Sequence, residues 1–509
     1  MPLGSRKRND AMKVQMERSD SMPLPEDRVI NRDFSEDIQQ QFAKLTGDRN
    51  PMHMDAVAAR RTQPGAPVVH GIHTLLWALD RMAAEIPGFK RIRKIKTYFF
   101  KWIYVNSTAN LVIVSSSETE IKARIIVDEI VTASITVTLG TSALKYEAPR
   151  SSNRPQQTIP VAARELQFSD MASQSGYIDP LARPEEIAQL FPQLSHILHP
   201  QRVAALATLS PLVGMVCPGL YSIFSGLNIE FEAEQHGDSA IDYRVKSIDE
   251  RIRMVNLEIR GSGISGIVET FVRLPPAIQM SMDTVSAHVE ANEFSGTHAL
   301  IVGGSRGLGE LTAKVIAAGG GRVTITYAIG SKEAEGVARE IQQSGGVCDV
   351  IAYDALQPAV PQLQKLSSPV THAYYYATGQ IFRTKRGIFS KAFHREFNNF
   401  YVEGFFDLCE SLAASTTSGI SVFYPSSIAV ADRPSDMTEY AMAKTAGEVL
   451  CEDINRFMKG VRVVLHRLPR LPTDQTLSVI PVKCSDPLEI ILPIIREVQN
   501  IRAKNENQT

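Results

Sequence analysis

Two kinds of hydrophobic pattern divide the chain. From residue 298 onward, short apolar runs alternate with amphipathic runs of helical period, as in HALIVGG, a helix-like stretch, RVTITY and then KEAEGVAREIQQSGG. Strands that alternate with helices at this spacing are typical of a parallel α/β sheet. The pattern therefore predicts a doubly wound parallel sheet for the last part of the chain.

The two segments before it follow another order. Each has one long apolar helix candidate and then several strand-like runs, such as ANLVIVSSS, KARIIVDEI and ASITVTLG in the first segment and IDYRVKSI, MVNLEIRG and GIVETFVRL in the second. One helix against an antiparallel sheet is the simplest packing for that order. We therefore predict an α+β fold for each segment.

The two segments also resemble each other. HGIHTLLWALDRMAAEIPG and RVAALATLSPLVGMVCPG both end in Pro-Gly and both lead into strands. Chance similarity of two amphipathic helices is the alternative to a diverged repeat. The shared exit and the equal strand order favour the repeat.

Polar and Pro-rich stretches mark the boundaries between these segments. We predict a disordered tail, a first α+β domain, a linker, a second α+β domain, a linker, the α/β domain and a C-terminal tail, over residues 1–28, 29–148, 149–164, 165–275, 276–294, 295–497 and 498–509, respectively.

Composition narrows the possible partners and the compartment. The 509 residues include 54 basic and 55 acidic side chains, so no overall field gathers a nucleic acid or an anionic membrane. Five scattered cysteines without a Cys-x-x-Cys pair suit a reducing compartment and argue against a zinc site. No apolar run reaches the roughly 18 residues that a membrane span needs. We therefore expect a cytoplasmic protein without a metal, a nucleic-acid partner or a membrane partner.

The stretch GDRNPMH, residues 47–53, carries the first candidate chemistry. Asp48 and His53 stand five residues apart across a turn that Pro51 stiffens, so both can reach one water molecule, the aspartate as base and the histidine as acid or co-base. Asn50 can brace the turn or orient the carboxylate. For a single Asp or His, a capped turn with a buried histidine is the alternative.

A second element of this site is His70-Gly71, which opens the long apolar helix. Free N–H groups and the positive end of the helix dipole favour an oxyanion there. FAKLTGDRNPMHMDAVAARR followed by PGAPVVHGIH resembles the MaoC-type, (R)-specific enoyl-CoA hydratases over roughly residues 30–145. The resemblance implies that Asp48 and His53 activate water, that Gly71 offers its amide to the thioester oxygen, and that a sheet wraps the long helix in a hot-dog fold.

The second segment lacks this motif, because Gln201-Arg202 stands where the repeat would place His70-Gly71. We expect a non-catalytic hot-dog domain there, so that the N-terminal half is an α+β double hot-dog. Paired hot-dog units in the family share one acyl tunnel, and the second domain can complete it.

HALIVGGSRGLGE places three glycines directly after a predicted strand. Gly303 allows a tight turn, Gly307 lets the backbone approach a pyrophosphate, and Gly309 lets the next helix pack closely, as in Rossmann-type dinucleotide sites. The second strand ends in Tyr327 rather than an acidic residue, and Arg306 can meet a 2′-phosphate. NADPH is therefore favoured over NADH. The full set of expected cofactor-binding residues is Gly303, Ser305, Arg306, Gly307, Leu308, Gly309, Tyr327, Asp354 and Lys444.

YPSSIAVADRPSDMTEYAMAK contains the parts of a carbonyl reductase. Tyr440 and Lys444 are four residues apart and share one helix face, where an ammonium lowers the pKa of a phenol. Tyr440 is the expected proton donor, Lys444 its tuner, and Ser427 the group that polarises the carbonyl. Ser426 is the near alternative to Ser427.

Residues 295–475 resemble the short-chain dehydrogenase/reductase family, and TYAIGSKEAEGVAREI is similar to NADPH-dependent 3-oxoacyl thioester reductases. The sequence departs from the family on the substrate side. Tyr401 falls at the position of the active-site asparagine unless Asn398 or Asn399 substitutes, and Pro469 is followed by Arg470 instead of glycine. These departures put the substrate of the reductase in doubt more than its cofactor.

The two chemistries share one intermediate. We expect a bifunctional enzyme that interconverts trans-2-enoyl, (R)-3-hydroxyacyl and 3-oxoacyl thioesters of CoA or acyl-carrier protein. The alternatives are a hydratase fused to a reductase for an oxo-sugar or polyketide-like substrate, and a decayed thioester-binding scaffold. Family resemblance implies a homodimer or homotetramer.

Overall fold

Two separate sheets organise the chain. The computed structural model describes residues 29–141, 155, 157–232, 240–382, 388–416, 418–476, 482 and 484–506. The predicted N-terminal tail, residues 1–28, lies outside the described residues, as do residues 149–154 and 156 of the first predicted linker.

The first sheet has ten antiparallel strands. Their order is β1-β3-β4-β5-β2-β7-β10-β9-β8-β6. In chain order, β1 to β10 are Val29–Phe34, Ile92–Phe99, Ser107–Ser116, Glu120–Val127, Ile130–Leu139, Ser175–Ile178, Ser222–Phe231, Ile241–Asp249, Met254–Gly261 and Ile264–Val272.

This sheet consists of two halves with the same strand order. Counted within each half, the order from the edge to the centre is 1-3-4-5-2, and β2 pairs with β7 where the halves meet, Ile95 opposite Ile229. The repeat predicted from the two helix candidates agrees with this order.

The helices of this part lie in both halves. Helices α1 to α7 are Glu36–Thr46, Pro51–Met54, Ala56–Arg60, Gly71–Glu85, Pro184–Leu190, Pro192–Leu198 and Pro200–Pro211. A 3₁₀ helix covers Phe168–Ser173, and a π-helical turn, Leu212–Val216, continues α7. The apolar faces of α4 and α7 join a single core, in which Leu75, Leu76, Leu206 and Leu209 are fully buried. Burial of these faces, together with the pairing of β2 and β7, holds the two halves together.

The second sheet has six parallel strands. β11 to β16 are His298–Val302, Arg322–Tyr327, Val347–Ala352, His372–Tyr375, Ile420–Ser427 and Val461–Leu468, in the order β13-β12-β11-β14-β15-β16. Counted within the sheet this order is 3-2-1-4-5-6, that of Rossmann-type doubly wound folds. Ligands bind such sheets at the carboxyl ends of the strands, where the order reverses. Here that point lies between β11 and β14.

Helices cover this sheet. Helices α8 to α16 are Met282–Ser286, Gly307–Ala318, Ser331–Gln343, Ala359–Leu363, Lys391–Asn398, Gly404–Ser415, Ala429–Asp432, Thr438–Phe457 and Pro487–Glu506, with a π-helical turn at Asn399–Glu403. No described helix combines the length and the apolar character that a membrane crossing requires.

Two predicted boundaries are wrong. The C-terminal tail was expected from residue 498, but α16 runs to Glu506 and Val498 is fully buried in the core of the second sheet. The linker expected at 276–294 contains α8, whose Met282 and Val285 pack into the same core. Both segments are held in place by the burial of apolar side chains in the core of the second sheet, a tertiary contact.

Candidate active sites

Asp48 lies in a tight turn between two helices. α1 ends at Thr46, and Gly47 follows with a φ of 80°, a left-handed conformation that glycine adopts without strain. The Asp48 amide donates to the Thr46 hydroxyl at 3.3 Å, and the Asn50 amide donates to Asp48 Oδ1 at 3.2 Å. These short-range hydrogen bonds hold the carboxylate in one orientation.

Asn50 braces this turn. Its Oδ1 accepts from the Met52 amide at 3.1 Å and so caps α2. Its Nδ2 donates to the carbonyl oxygens of Gly214, at 2.7 Å, and Gly219, at 3.3 Å. Both carbonyls belong to the second of the two halves that form the ten-stranded sheet. The amide of Asn50 therefore connects the turn in the first half to the second half.

His53 follows on α2 with one ring nitrogen already engaged. Its Nδ1 lies 2.7 Å from the carbonyl oxygen of Val68. Because a carbonyl can only accept, Nδ1 carries the proton of the neutral ring and Nε2 carries the lone pair. The Val68 contact therefore fixes a tautomer that can accept a proton.

The structure brings Asp48 and His53 together, with His70 as a third member. One polar side-chain atom of each lies within 4.8 Å of the others. His70 Nε2 lies 3.1 Å from the Asp48 carbonyl oxygen, so it carries a proton and has no lone pair for a metal. Burial, with smaller effects of His53 and His73, lowers the pKa of His70 well below its usual value. The expectation of no metal stays a prediction.

Ser210 and Gly214, from α7 and the π-helical turn after it, complete the surroundings of Asp48. Burial raises the pKa of the Asp48 carboxyl, while His53 and a hydrogen bond from Ser210 Oγ to Oδ2, at 2.6 Å, lower it in part. A Cβ on Gly214 would lie 2.5 Å from Asp48 Oδ1. Sequence reasoning missed both residues, although the repeat already aligned α7 with α4. The domain expected to be non-catalytic thus contributes directly to the site.

Gly71 is the first residue of α4, as predicted. The side chain of the N-cap residue His70 makes no hydrogen bond to the first turn of α4. The backbone N–H groups of that turn therefore remain open to another acceptor as far as His70 is concerned. A Cβ on Gly71 would lie 3.2 Å from Phe99 Cζ, and Phe99 packs edge-on against Phe224, with 5.6 Å between ring centroids. An apolar wall from both halves therefore faces this helix end.

The three glycines after β11 have the geometry of a dinucleotide turn. Gly303 and Gly307 have φ values of 82° and 60°, which L-residues rarely adopt. A Cβ on Gly309 would lie 2.2 Å from the Gly303 carbonyl oxygen. α9 begins at Gly307, and its N-cap Arg306 makes no side-chain cap. The glycine turn and the uncapped helix end fit a pyrophosphate.

The other expected cofactor residues lie along the same edge of the sheet. Ser305 is buried in the turn, Leu308 packs against the core, and Tyr327 ends β12. Asp354 lies in the loop after β13, where its Oδ1 accepts from the Leu356 amide at 2.9 Å. The carboxylate of Asp354 is thus engaged by its own loop.

Arg306 is engaged by two other parts of the chain. Its Nη1 donates to Asp474 Oδ2 at 2.8 Å and to the carbonyl oxygen of Arg60 at 2.7 Å. Arg60 ends α3, so the guanidinium of Arg306 lies between the part of the chain that forms the ten-stranded sheet and the part that forms the six-stranded sheet. Its role toward a 2′-phosphate stays a prediction.

Tyr440, Ser427 and Lys444 converge at the carboxyl end of β15. Burial raises the pKa of Tyr440 to about 12, and a hydrogen bond with Ser427 lowers it in part. Ser426 instead donates to Glu448 Oε1 at 2.5 Å. Of the two serines, Ser427 is therefore the one that contacts the phenol.

The predicted effect of Lys444 on the phenol stays a prediction, because burial acts against the charge of the ammonium. Its Nζ donates to the Pro425 carbonyl oxygen at 2.6 Å and lies 6.0 Å from the Tyr440 ring centroid. Burial lowers the pKa of Lys444 to about 7. The ammonium that was expected to stabilise a phenolate is itself destabilised by desolvation.

Tyr401 occupies the space between these groups. Its ring lies 3.8 Å from Lys444 Nζ and meets the Tyr440 ring edge-on at 5.6 Å, and its hydroxyl bonds to Thr378. Asn398 is held by His394 at 2.9 Å. The predicted replacement of the family's asparagine by Tyr401 therefore fits the geometry better than a substitution by Asn398.

Comparison with protein families gives matches for two regions of the chain. Residues 13–138 match the MaoC like domain, and residues 297–474 match the short chain dehydrogenase family. The chain therefore contains a MaoC-like domain followed by a short-chain dehydrogenase domain.

A curated relative matches a short stretch of the chain. Over 60 residues the chain is 32% identical to the 3-hydroxybutyryl-CoA dehydratase of Methylorubrum extorquens. These 60 residues make up 12% of this chain and 38% of the dehydratase. The match thus spans well under half the length of that relative.

Solved structures match the short-chain dehydrogenase domain. One is a 3-oxoacyl (acyl-carrier-protein) reductase from Agrobacterium tumefaciens with NADP bound, 20% identical, covering 36% of this chain and 74% of that chain with a TM-score of 0.33. Another is a short chain dehydrogenase from Burkholderia cenocepacia in complex with NADP, also 20% identical, covering 40% and 91% with a TM-score of 0.36.

Proposed function

We propose that this protein is a bifunctional enzyme that interconverts trans-2-enoyl, (R)-3-hydroxyacyl and 3-oxoacyl thioesters. The observation that carries the proposal is the approach of Asp48, His53 and His70 to within 4.8 Å in a MaoC-like domain. Fusion of that domain to a short-chain dehydrogenase domain supports a second reaction on the shared 3-hydroxyacyl intermediate.

Hydration needs a water molecule that loses a proton as its oxygen attacks. A water between Asp48 and His53 donates one O–H to the carboxylate and the other to the Nε2 lone pair. As the water oxygen bonds to C3 of the enoyl thioester, one of these groups takes the proton and returns it to C2. One O–H bond of water and the C2–C3 π bond break, a C3–O bond and a C2–H bond form, and the enzyme regains its starting charge.

The thioester oxygen gains negative charge during this addition. The first-turn N–H groups of α4, beginning at Gly71, supply hydrogen-bond donors and the positive end of a helix dipole. An acyl chain that enters along Phe99 and Phe224 brings its carbonyl to this helix end.

We infer that the two halves of the ten-stranded sheet form a double hot-dog, in which the second half supports the catalytic first half. The equal strand orders, the shared core of α4 and α7 and the contacts of Ser210 and Asn50 across the halves support this inference.

We infer that the short-chain dehydrogenase domain binds NADPH in preference to NADH. Gly303 and Gly309 allow the tight turn and the close packing of α9, Gly307 leaves room for the pyrophosphate at the start of α9, and the second strand ends in the non-acidic Tyr327. When bound, the nicotinamide supplies a hydride to the carbonyl carbon of the substrate.

The side chains at the end of β15 handle the proton of this reduction. Ser427 donates a hydrogen bond to the carbonyl oxygen, and Tyr440 gives it a proton as the alkoxide forms. A phenol whose pKa is about 12 stays protonated at neutral pH and is ready to donate. Lys444 provides positive charge behind the phenol when it is protonated.

The second candidate keeps the hydratase but gives the reductase another ketone, such as an oxo-sugar or a polyketide-like compound. The observation that favours it is Tyr401, whose large buried ring stands against Tyr440 and reshapes the substrate side. Reduction of acetoacetyl-CoA by NADPH supports the first candidate. Failure of that reduction in a protein that hydrates crotonyl-CoA supports the second.

The test of the hydratase uses the enoyl absorbance of crotonyl-CoA. We expect the wild type to consume the enoyl thioester and Asp48→Asn to lose about 10²- to 10⁴-fold in rate, the range for general acid–base catalysis. Arg124→Gln, on the exposed face of β4, is the matched control. A wild type that does not consume crotonyl-CoA would leave only a thioester-binding scaffold, and equal measurable rates in the wild type and Asp48→Asn would contradict the role of Asp48.

A further inference from the structure

Arginines from both domains meet at the end of β12. Arg60 and Arg61 close helix α3 of the MaoC-like domain, and Arg306 lies in the glycine turn of the dehydrogenase domain. Arg306 donates to the Arg60 carbonyl oxygen at 2.7 Å. In Rossmann-type sheets the adenosine ribose of a dinucleotide lies at the end of this second strand, where an arginine accommodates a 2′-phosphate.

Arg60 reaches the loop that follows β12. Its Nη1 donates to the Ile329 carbonyl oxygen, and its guanidinium pairs with Glu333 on α10. Gly330, with a φ of 89°, lies beneath it, and a Cβ there would be 2.4 Å from Arg60 Nη2. The glycine therefore allows the guanidinium to lie directly on this loop.

The charges of the cluster are not balanced. Asp474 pairs with Arg306 at 2.8 Å and with Arg61 at 3.3 Å, while Glu333 pairs with Arg60. Three guanidinium groups thus share two carboxylates. Burial, and to a smaller extent repulsion from Arg306 and Arg61, lowers the pKa of Arg60 to about 10. Among the described residues, none accepts a hydrogen bond from the buried Nε of Arg60.

We propose that the MaoC-like domain completes the cofactor site of the reductase, with Arg60 and Arg61 joining Arg306 to hold the 2′-phosphate of NADP(H). The inference rests on the proposed cofactor and adds residues from another domain to its site. A phosphate brings the acceptors that planar guanidinium groups bind best, and it offsets the unmatched positive charge. Preference for NADP(H) over NAD(H) is then a property of the fused chain.

Binding of adenosine fragments tests this without turnover. Titration calorimetry on the full chain compares 2′,5′-ADP, which carries the 2′-phosphate, with 5′-AMP, which lacks it. We expect Arg60→Gln to weaken 2′,5′-ADP by about tenfold, since one charge-assisted hydrogen bond is lost, and to leave 5′-AMP unchanged. Arg124→Gln is the matched arginine control. Unchanged binding of 2′,5′-ADP, or equal weakening of both fragments, overturns the inference.

Glu333→Gln decides the matter if Arg60→Gln does not fold. This variant removes the carboxylate that competes for Arg60, so 2′,5′-ADP should bind more tightly than to the wild type. A purely structural ion pair predicts equal or weaker binding, and that result overturns the inference. A wild type that binds both fragments equally overturns only this inference, whereas one that binds neither fragment nor NADPH overturns the proposed cofactor as well.

Discussion

Asp48 combines nearly complete burial with three groups that favour its charged form. Only 2% of the residue is exposed, and burial raises the pKa of its carboxyl. His53, the Ser210 hydroxyl and the Asn50 amide act in the opposite direction. A carboxylate that accepts hydrogen bonds inside a protein keeps its charge because those donors replace water.

Removal of the Ser210 hydroxyl should therefore move the pH dependence of hydration. Ser210→Ala leaves the ionised Asp48 with one donor fewer, so the pKa of Asp48 rises further. Hydration uses the ionised form, and we expect the acid limb of kcat/KM for crotonyl-CoA to shift upward by roughly one pH unit. Thr208→Val is the control, since the Thr208 hydroxyl bonds to Ala204 of the same helix. An acid limb that stays in place contradicts the assigned role of Ser210.

Lys444 gives a second pH-dependent prediction. Burial lowers its pKa from 10.5 to about 7, so the ammonium form is lost as the pH rises through neutrality. If this ammonium contacts the cofactor, NADPH binding should weaken above pH 7, approaching tenfold per pH unit. Calorimetric titration between pH 6 and 9 measures the effect, and Lys444→Met should abolish the pH dependence. A wild-type affinity that is constant over this range contradicts direct contact.

The site residues that the sequence identified are those within short motifs. Asp48, Asn50 and His53 lie within six consecutive positions, and their turn depends on local hydrogen bonds that sequence reasoning can anticipate. Ser210 lies 162 positions away from its partner Asp48. Its role follows from the packing of α7 on the turn, which no local pattern encodes.

Among the elements, the π-helical turn Leu212–Val216 has the most direct effect on the hydratase site. It follows α7 and places the Gly214 carbonyl on Asn50 Nδ2, with the Gly214 Cα beside Asp48. π-helical turns widen the helix locally and are frequent at functional sites. Here the widened turn contacts the loop that carries Asp48 and Asn50.

Gly214→Ala should damage hydration selectively. The new Cβ would lie 2.5 Å from Asp48 Oδ1, so the carboxylate must shift. Misplacement of a catalytic group by about 1 Å can cost on the order of 10²-fold in rate, and we expect a loss of that size with crotonyl-CoA. NADPH binding should not change, because the cofactor turn lies in the other sheet unit. Gly336→Ala, on α10 with no atom closer than 4.0 Å to the added Cβ, is the control, and a similar loss in both variants contradicts the contact.

The order of elements was largely predictable from hydrophobic periodicity. α4, α9 and the parallel strands have clear periods and clear stops, and the repeat agrees with the equal strand orders of the two halves. Residues 498–506 belong to α16, although their sequence predicts a tail. The run from Arg502 is polar, and the helix is stabilised by the burial of Val498 and neighbouring side chains against the second sheet, a tertiary effect.

At the scale of the whole molecule, the two domains are joined by charged contacts that the sequence could not reveal. Asp474 bonds to the Ala277 amide at 2.9 Å and pairs with Arg61, while Arg306 reaches Arg60. Individually these charges look like ordinary solvated residues. Only their convergence shows that a hydratase helix borders the dinucleotide turn.

The central claim is that one chain carries out both reactions on one acyl thioester. The direct measurement incubates the pure protein with acetoacetyl-CoA and NADPH and separates the products by chromatography and mass. We predict that the wild type forms (R)-3-hydroxybutyryl-CoA and crotonyl-CoA, that Asp48→Asn stops at the hydroxy thioester, and that Tyr440→Phe forms neither product. Crotonyl-CoA formed by the Asp48→Asn variant at the rate of the wild type, or a wild type that forms no hydroxy thioester, would contradict the account.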